Sequence, residues 1–179
     1  MIYTITLNPA LDHYMIVDKP LINDEVNRTS YDYFKVGGKG LNASKSLELL
    51  GIKNTAIALI GGFTGKFIKD EFSNRQLINF IGIEIEGNTR VNAKIYAQDK
   101  TICVNAGGSS ANENTKSEIY KQLKSLNKND IVMICGKACP GLDDEYLVQL
   151  SSFIHDKEAT LVIDMESLNV EMIEKCKPD

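Results

Sequence analysis

The chain lacks the marks of a zinc protein or of a disulfide-stabilised one. It has only two histidines in 179 residues, and none of its four cysteines is paired at C-x-x-C spacing. A zinc site built on these residue types needs them at short, regular spacings. We therefore predict free thiols, as is usual in a reducing cytoplasm. The residues concerned are Cys103, Cys135, Cys139, Cys176, His13 and His155.

Two further features are missing: an excess of positive charge and a long apolar segment. The formal net charge is −4, from 20 Lys and Arg against 24 Asp and Glu, which argues against nucleic acid as a partner. No apolar run is long enough to span a bilayer, and residues 1–7 are too short for a signal peptide. The composition, with 43% hydrophobic residues, predicts a soluble cytoplasmic protein with no membrane partner.

A glycine cluster that runs into an amphipathic segment is the most informative part of the sequence, at residues 36–51. The glycines of residues 37–40 allow the backbone to approach a ligand, and the following helix adds the positive end of its dipole. Lys39 adds a full charge, and Asn42 adds a donor and an acceptor. Gly51 is the residue type favoured just past a helix end. The segment predicts a site for a polar, anionic small molecule.

Three other interpretations of this loop compete with that one. Gly38-x-Gly40-x-x-Ala43 matches the dinucleotide fingerprint, but the acidic residue expected about 20 positions later is missing from residues 56–65. Lys39 is followed by Gly40, so the Gly-Lys-Ser/Thr ending of a Walker loop is absent. A turn that only reverses the chain stays open as the third interpretation.

From residue 55 onward, apolar strands alternate with amphipathic helices. This order predicts an α/β fold with a doubly wound, mostly parallel sheet. Because the sheet would stop after few strands and leave a bare edge, we expect residues 1–179 to be the front part of a longer protein, with the C-terminal part of the fold missing. The predicted strands are residues 2–7, 55–60, 130–135 and 160–164, and the predicted helices are residues 66–75, 113–126 and 168–176.

Two pairs of short strands have no helix between them and predict a small antiparallel β lid, at about residues 12–36 and 88–106. Asp12 follows the first predicted strand, and ligands of open α/β sheets bind beyond the carboxyl ends of strands. Arg90 and Asn92 alternate with apolar residues, so their side chains face one way. An arginine fork in a lid would suit an anion beneath it.

Several dispersed motifs occur in the order and spacing of a known family. They are residues 6–12 (Thr-Leu-Asn-Pro-Ala-Leu-Asp), Asn27-Arg28, residues 37–43, residues 61–65 and residues 89–92. Over essentially its whole length the chain resembles the ribokinase-like (PfkB) carbohydrate kinases. Within that family it is most similar to the 1-phosphofructokinases, followed by the tagatose-6-phosphate kinases.

The resemblance implies transfer of the γ-phosphoryl group of ATP, with Mg²⁺, to a hydroxyl of a hexose phosphate. The implied reaction converts fructose 1-phosphate to fructose 1,6-bisphosphate, with tagatose 6-phosphate as the alternative substrate. A non-catalytic sugar-phosphate-binding chain is an alternative of another class. The lid would cover the sugar and, as in many relatives, would pair two subunits into a homodimer.

The resemblance also implies roles for individual residues. Carboxylate and amide groups suit sugar hydroxyls, cationic groups suit phosphate, and a lid excludes water. The implied substrate-binding residues are Asp12 for sugar hydroxyls, Gly37, Gly38 and Asn42 for the ring, Lys39, Arg28 and Arg90 for the phosphate, and Asn92 and Gly136 beside them.

The chain departs from the family's pattern in three places. The Gly-Ala-Gly-Asp segment that carries the catalytic base, like the Asn-x-x-Glu motif, has no counterpart in it, so we expect no catalytic residue, no complete nucleotide pocket and no activity of the chain alone. Residues 135–140 read Cys-Gly-Lys-Ala-Cys-Pro where relatives have Ser-Gly-Ser before a proline turn. Residues 105–108 lack a proline that is common there. The last two departures affect the expected substrate preference and leave the expected fold unchanged.

Overall fold

The computed structural model describes residues 1–166 and 168–179 and contains, within them, nine strands and five helices. None of the helices found in that part of the chain has the length and apolar character of a membrane span. The strands are β1 (Ile2–Thr6), β2 (Ala10–Val17), β3 (Tyr31–Gly37), β4 (Asn54–Ile60), β5 (Ile78–Glu84), β6 (Arg90–Ala97), β7 (Thr101–Val104), β8 (Ile131–Gly136) and β9 (Thr160–Met165). The helices are α1 (Lys39–Leu49), α2 (Gly62–Ser73), α3 (Glu113–Gln122), α4 (Asp144–His155) and α5 (Val170–Cys176).

Five strands form a parallel sheet, the main sheet, in the order β5-β4-β1-β8-β9. Strand β4 is buried along its whole length, as its run of alanine and branched side chains predicts for a strand covered on both faces. Ile57 and Leu59 pack in a core with α3, α4 and α5, whereas Ala56 and Ala58 pack in a second core with α1 and α2. The main sheet therefore carries helices on both faces, which confirms the predicted doubly wound α/β fold.

The predicted helices are present with shifted ends. Gly51 follows α1 with φ of 76°, which confirms the predicted glycine stop. Leu49 and Leu50 are exposed rather than packed on the apolar side of that helix. Helix α2 begins at Gly62, earlier than predicted, because the glycines interpreted as a break form its first turn. Helix α3 ends at Gln122, about one turn earlier than predicted.

The remaining four strands form a second sheet, the lid sheet, in the order β3-β2-β6-β7. The pairs β2–β3 and β6–β7 are antiparallel as predicted, but β2 and β6 pair parallel. The prediction of a purely antiparallel lid was therefore wrong, because the two flaps join into one mixed sheet. The parallel pair arises since β2 and β6 follow directly on β1 and β5, which run in the same direction in the main sheet.

Asp12 lies in the lid sheet, whose first strand begins at Ala10, two residues before the predicted start at about residue 12. It belongs to β2 and stands in register with Lys35 of β3 and Asn92 of β6. The chain passes from β1 into β2 through residues 7–9 alone. The lid sheet therefore begins immediately beyond the carboxyl end of β1 and carries Asp12 with it.

Candidate functional site

A polar cavity of about 270 Å³ lies where the carboxyl ends of β1 and β8 meet the N-terminus of α1. This is the edge of an open α/β sheet at which ligands bind. The cavity brings together five of the predicted site residues: Gly38, Lys39, Asn42, Arg90 and Gly136. Its wall also includes residues that the sequence did not mark as site residues, namely Thr6, Asn8, Asn105, Ala106, Gly107, Cys135, Lys137 and Glu166.

Glycines allow the N-terminus of α1 to pack directly on β1. Gly38 precedes the helix with φ of 123°, and a Cβ there would lie 2.9 Å from Thr6 Cγ2. A Cβ at Gly40 would lie 2.5 Å from Thr6 Oγ1. No side chain from the described residues caps α1. Its first N–H groups therefore remain free to donate to an anion in the cavity.

Lys39 stands at the mouth of the cavity as the first residue of α1. Its Nζ lies 3.3 Å from Oδ1 of Asp164, at the end of β9, and both side chains are substantially exposed. An exposed ion pair of this kind is weak, so the ammonium group is free to turn towards a ligand. Gly136 lies beside Lys39 without crowding it, since a Cβ at that position would lie 3.7 Å from Lys39 Cβ, an ordinary contact distance.

Arg90 connects the lid sheet to the loops around the cavity. It donates from Nη2 to Asn8 O at 2.9 Å, from Nη1 to Ala106 O at 3.1 Å and from Nε to Pro9 O at 3.3 Å. Burial lowers the pKa of Arg90, while nearby carboxylates oppose that shift. A guanidinium group remains charged in proteins and carries five N–H donors. Arg90 can therefore hold the loops and still donate to a ligand.

Asp12, Gly37 and Asn92 form a contact group beside the cavity rather than in its wall. Asn92 Nδ2 donates to Asp12 Oδ1 at 2.7 Å. A Cβ at Gly37 would lie 2.5 Å from Asp12 Oδ2, so the glycine makes room for the carboxylate. The contact group thus supplies a negative charge next to the cations of the cavity.

Asn8 is a site residue that sequence reasoning missed. It is buried, and its Nδ2 donates to Gly107 O at 3.0 Å. Gly108 has φ of 95°, and a Cβ there would lie 2.5 Å from Asn8 Oδ1. Asn8 therefore fixes the segment that forms one wall of the cavity. The available signal was Asn8-Pro9 in the motif of residues 6–12, directly after the predicted strand of residues 2–7.

Cys135 gives the cavity an uncharged wall. Burial raises the pKa of the Cys135 thiol to about 11, with a further contribution from Asp164 and an opposing one from Lys39. The thiol is therefore protonated at neutral pH and is not an activated nucleophile. Within residues 1–166 and 168–179, no group of three or more His, Cys, Asp or Glu residues is placed to hold a metal ion.

Arg28 lies apart from the other predicted site residues. It lines a separate surface cavity of about 410 Å³ between β2 and β3. A cavity of about 460 Å³ beside α2 and the end of β5 contains none of the predicted residues, and its Lys66 pairs with Asp70 at 2.6 Å. The structure therefore does not bring Arg28 to the polar cavity.

Named relatives match the chain over most of its length. D-tagatose-1-phosphate kinase of Bacillus licheniformis is 34% identical over 167 residues, which are 93% of this chain and 54% of that protein. 1-Phosphofructokinase of Bacillus subtilis is 32% identical over 165 residues, or 92% of this chain and 54% of that protein. The chain thus spans about half the length of the curated relatives it matches.

A solved structure and a family model agree with these relatives. The tetrameric inhibited form of phosphofructokinase-2 from Escherichia coli matches with a TM-score of 0.85 and 25% identity, over 98% of this chain and 57% of that chain. The model of the family described as pfkB family carbohydrate kinase matches residues 5–176. The resemblance inferred from the motifs is confirmed, and the chain belongs to the pfkB family of carbohydrate kinases.

Proposed function

We propose that the chain is the sugar-binding and lid-bearing part of an ATP-dependent hexose-phosphate kinase. The observation that carries the proposal is the polar cavity, which combines the N–H groups of α1 with the cations of Lys39 and Arg90. These groups suit a phosphate, and the carboxylate of Asp12 suits sugar hydroxyls. The favoured reaction passes the γ-phosphoryl group of ATP to the free primary hydroxyl of fructose 1-phosphate, which gives fructose 1,6-bisphosphate and ADP.

A tagatose phosphate is the alternative substrate. Relatives named for tagatose 1-phosphate and for fructose 1-phosphate match the chain at 34% and 32% identity. Two sugars that differ in one hydroxyl are separated by contacts worth about 1–3 kcal/mol each, so direct comparison of their affinities is needed.

The proposed contacts divide between the cavity and the group beside it. Arg28 has no part in them because it lines a different cavity. Asn92 is proposed to act on Asp12 and not on the sugar. The contacts are Lys39 and Arg90 with the phosphate, the backbone of Gly37 and Gly38 with Asn42 on the ring, Asp12 on hydroxyls, and Gly136 as the backbone wall beside Lys39.

ATP and Mg²⁺ are the proposed cofactors of the complete enzyme. The described residues do not form a divalent-cation site, so no contact proposed for this chain depends on a metal. The sequence contains no Gly-Ala-Gly-Asp segment, and a positioned base and anion hole supply much of the rate in such enzymes. We therefore expect the chain alone to bind a sugar phosphate without phosphorylating it, and we assign the enzyme to the cytoplasm.

The lid sheet is the proposed surface for a homodimer. It exposes large apolar side chains on both of its faces, three on each according to the strand register, and exposed apolar surface favours association. The related Escherichia coli phosphofructokinase-2 has a tetrameric inhibited form. The exposed side chains are Tyr31, Tyr33, Phe34, Val91, Tyr96 and Val104.

Calorimetric titration of the chain with fructose 1-phosphate, tagatose 1-phosphate, tagatose 6-phosphate and NADH tests the function. We expect one sugar phosphate to bind and NADH not to bind. Lys39→Ala should weaken sugar-phosphate binding about tenfold or more, because a charge-assisted hydrogen bond is lost.

The matched control is Lys128→Ala. Lys128 is exposed in the loop before β8, at the amino ends of the strands of the main sheet, whereas the cavity lies at their carboxyl ends. The substitution removes the same charge and should leave the affinity unchanged. Binding of NADH, or equal losses in the two lysine variants, would contradict the proposal.

A further inference from the structure

Both ends of the Asn92 side chain are engaged by other parts of the protein. Asn92 is 6% exposed on β6. Its Nδ2 donates to Asp12 Oδ1 at 2.7 Å, and its Oδ1 accepts the backbone N–H of Ala106 at 3.2 Å. The first bond crosses the parallel pair β2–β6, and the second reaches the segment that forms a wall of the polar cavity.

We infer that Asn92 is a positioning residue that orients the Asp12 carboxylate and the Ala106 segment around the sugar, and that it does not itself contact the substrate. The inference rests on the proposed function, because Asp12 is the residue through which Asn92 would act. It assigns to Asn92 a role different from the substrate contact that the family resemblance implied.

An amide is the side chain that this position requires. The two neighbours make opposite demands, since Asp12 needs a donor and the Ala106 N–H needs an acceptor. Asparagine offers both in a fixed geometry, whereas a carboxylate offers acceptors only. Asp12 is half-buried and Ala106 is exposed, and removal of the side chain that matches both would cost affinity or stability.

One oxygen of the Asp12 carboxylate is held by a hydrogen bond, and the other faces the space that the missing side chain of Gly37 leaves. Oδ1 accepts from Asn92, and Oδ2 lies where a Cβ on Gly37 would be only 2.5 Å away. With Oδ1 fixed by the amide, the remaining lone pairs of Asp12 keep one orientation relative to the cavity. Preorganisation of this kind is what makes a binding group effective.

The charged groups that face Asp12 come from all the elements packed around it. Lys35 of β3 is its cross-strand partner in the register. Arg90 of β6 and Lys45 of α1 act on it over longer distances, and so does the phenol of Tyr14 on β2 when ionised. None of these groups changes charge between pH 5 and pH 8 at its ordinary pKa, so a change of affinity in that range beyond the change seen in the wild-type chain can be traced to the pair itself.

The variant Asn92→Asp provides the sharpest test, because it keeps the acceptor for Ala106 and replaces the donor for Asp12. Two carboxyl groups at this distance will share one proton at low pH, since like charges oppose full ionisation. The shared proton restores the donor. We expect the variant to bind fructose 1-phosphate within about threefold of the wild-type chain at pH 5, and about tenfold or more weakly at pH 8.

Asn92→Ala is the companion variant and should bind weakly at both pH values, because it has no group to protonate. The wild-type chain, titrated at each pH, corrects for ionisation of the sugar phosphate. In an Asp12→Asn background, Asn92→Ala should cause a smaller loss of affinity than in the wild-type chain, because only its bond to the Ala106 segment remains to be lost. The inference would be overturned if the affinities of Asn92→Asp and the wild type changed with pH in the same way. It would also be overturned if the losses of affinity from Asp12→Asn and Asn92→Ala were additive in the double variant.

Amide hydrogen exchange separates failure of this inference from failure of the proposed function. Exchange at Ala106 should be faster in Asn92→Ala and unchanged in Asn92→Asp, whether or not a sugar phosphate binds. A wild-type chain that binds none of the sugar phosphates would refute the function, and unchanged Ala106 exchange in Asn92→Ala would refute the positioning role. If Asn92→Ala does not fold, Asn92→Ser supplies the same comparison with a shorter polar side chain.

Discussion

The main sheet and the lid sheet differ in how deeply their strands are buried. Every residue of β4 is buried, and helices cover the main sheet on both faces. In the lid sheet, β3 is exposed along most of its length and β7 has no fully buried residue. In the lid sheet, cross-strand aromatic pairs add to the backbone hydrogen bonds between strands, as between Tyr14 and Tyr33 with ring centroids 4.8 Å apart.

This difference in burial indicates that the main sheet is the rigid part of the cavity and that the lid sheet is the part that can open to admit a ligand. The lid sheet buries little apolar surface, and regions of that kind open locally at low free-energy cost. The polar cavity takes Thr6 and Gly136 from the main sheet and Arg90 from the lid sheet. A ligand held between them would therefore add most order to the lid sheet.

The largest expected effect comes from truncating one side chain in each sheet, a buried one in the main sheet and an exposed one in the lid sheet. Ile57→Ala, at a fully buried position in β4, should lower the free energy of unfolding by about 2–5 kcal/mol. Tyr33→Ala, in β3 and 38% exposed, should lower it by only about 1 kcal/mol, since the two aromatic pairs that are lost, with Tyr14 and Tyr31, are partly exposed. Urea unfolding monitored by circular dichroism measures both. Equal losses of unfolding free energy in the two variants would contradict the difference in burial between the two sheets.

A smaller effect is expected where α1 packs on β1. Gly40→Ala should cost about 1–3 kcal/mol, because its Cβ would lie 2.5 Å from Thr6 Oγ1 and 3.0 Å from Ile5 O. Gly107→Ala is the matched control, with nothing within 4 Å of an added Cβ, and should change stability by less than about 0.5 kcal/mol. The same unfolding measurement applies, and a Gly40→Ala variant as stable as the control would contradict the close packing.

The smallest effect concerns pH. The pKa of Cys135 is about 11 in the folded chain against an ordinary 9.0, so the unfolded state loses its proton first and stability falls between these values. By pH 10 the wild-type chain should have lost about 1.4 kcal/mol relative to Cys135→Ala. Denaturant titrations at pH 8 and pH 10 measure the difference. Cys103→Ala, at an exposed cysteine of β7, is the control. The prediction would be contradicted if the difference in stability between the wild type and Cys135→Ala were the same at pH 8 and pH 10.

The main sheet could be predicted from the sequence because its signals are local. Residues 55–60 form a continuous apolar run, which is typical of a strand buried on both faces. Gly51 marks a helix end by a conformation that glycine adopts without strain. The glycine cluster likewise indicated the cavity, since the close approach of Gly38 and Gly40 to Thr6 requires the absence of side chains.

The rest depends on contacts between distant segments, which leave no local pattern. Nothing in the sequence of β2 or β6 indicates that they pair parallel. Asn8 enters the site only because Gly107 comes to lie beside it, and Asp164 only because β9 ends next to Lys39. Arg28 was assigned from a motif, and a motif does not say which cavity its residue will reach.

The parallel pair β2–β6 also sets an order in which the molecule can be assembled. Its register joins Ala10 to Arg90, so the pair cannot form until most of the intervening chain has been synthesised. Contacts of such long sequence separation form slowly. Until then the β2–β3 hairpin presents an unpaired edge and the aromatic rings of Tyr14 and Tyr33, and such an edge is prone to aggregation. Synthesis on the ribosome thus leaves this edge of the lid exposed until β6, residues 90–97, has emerged.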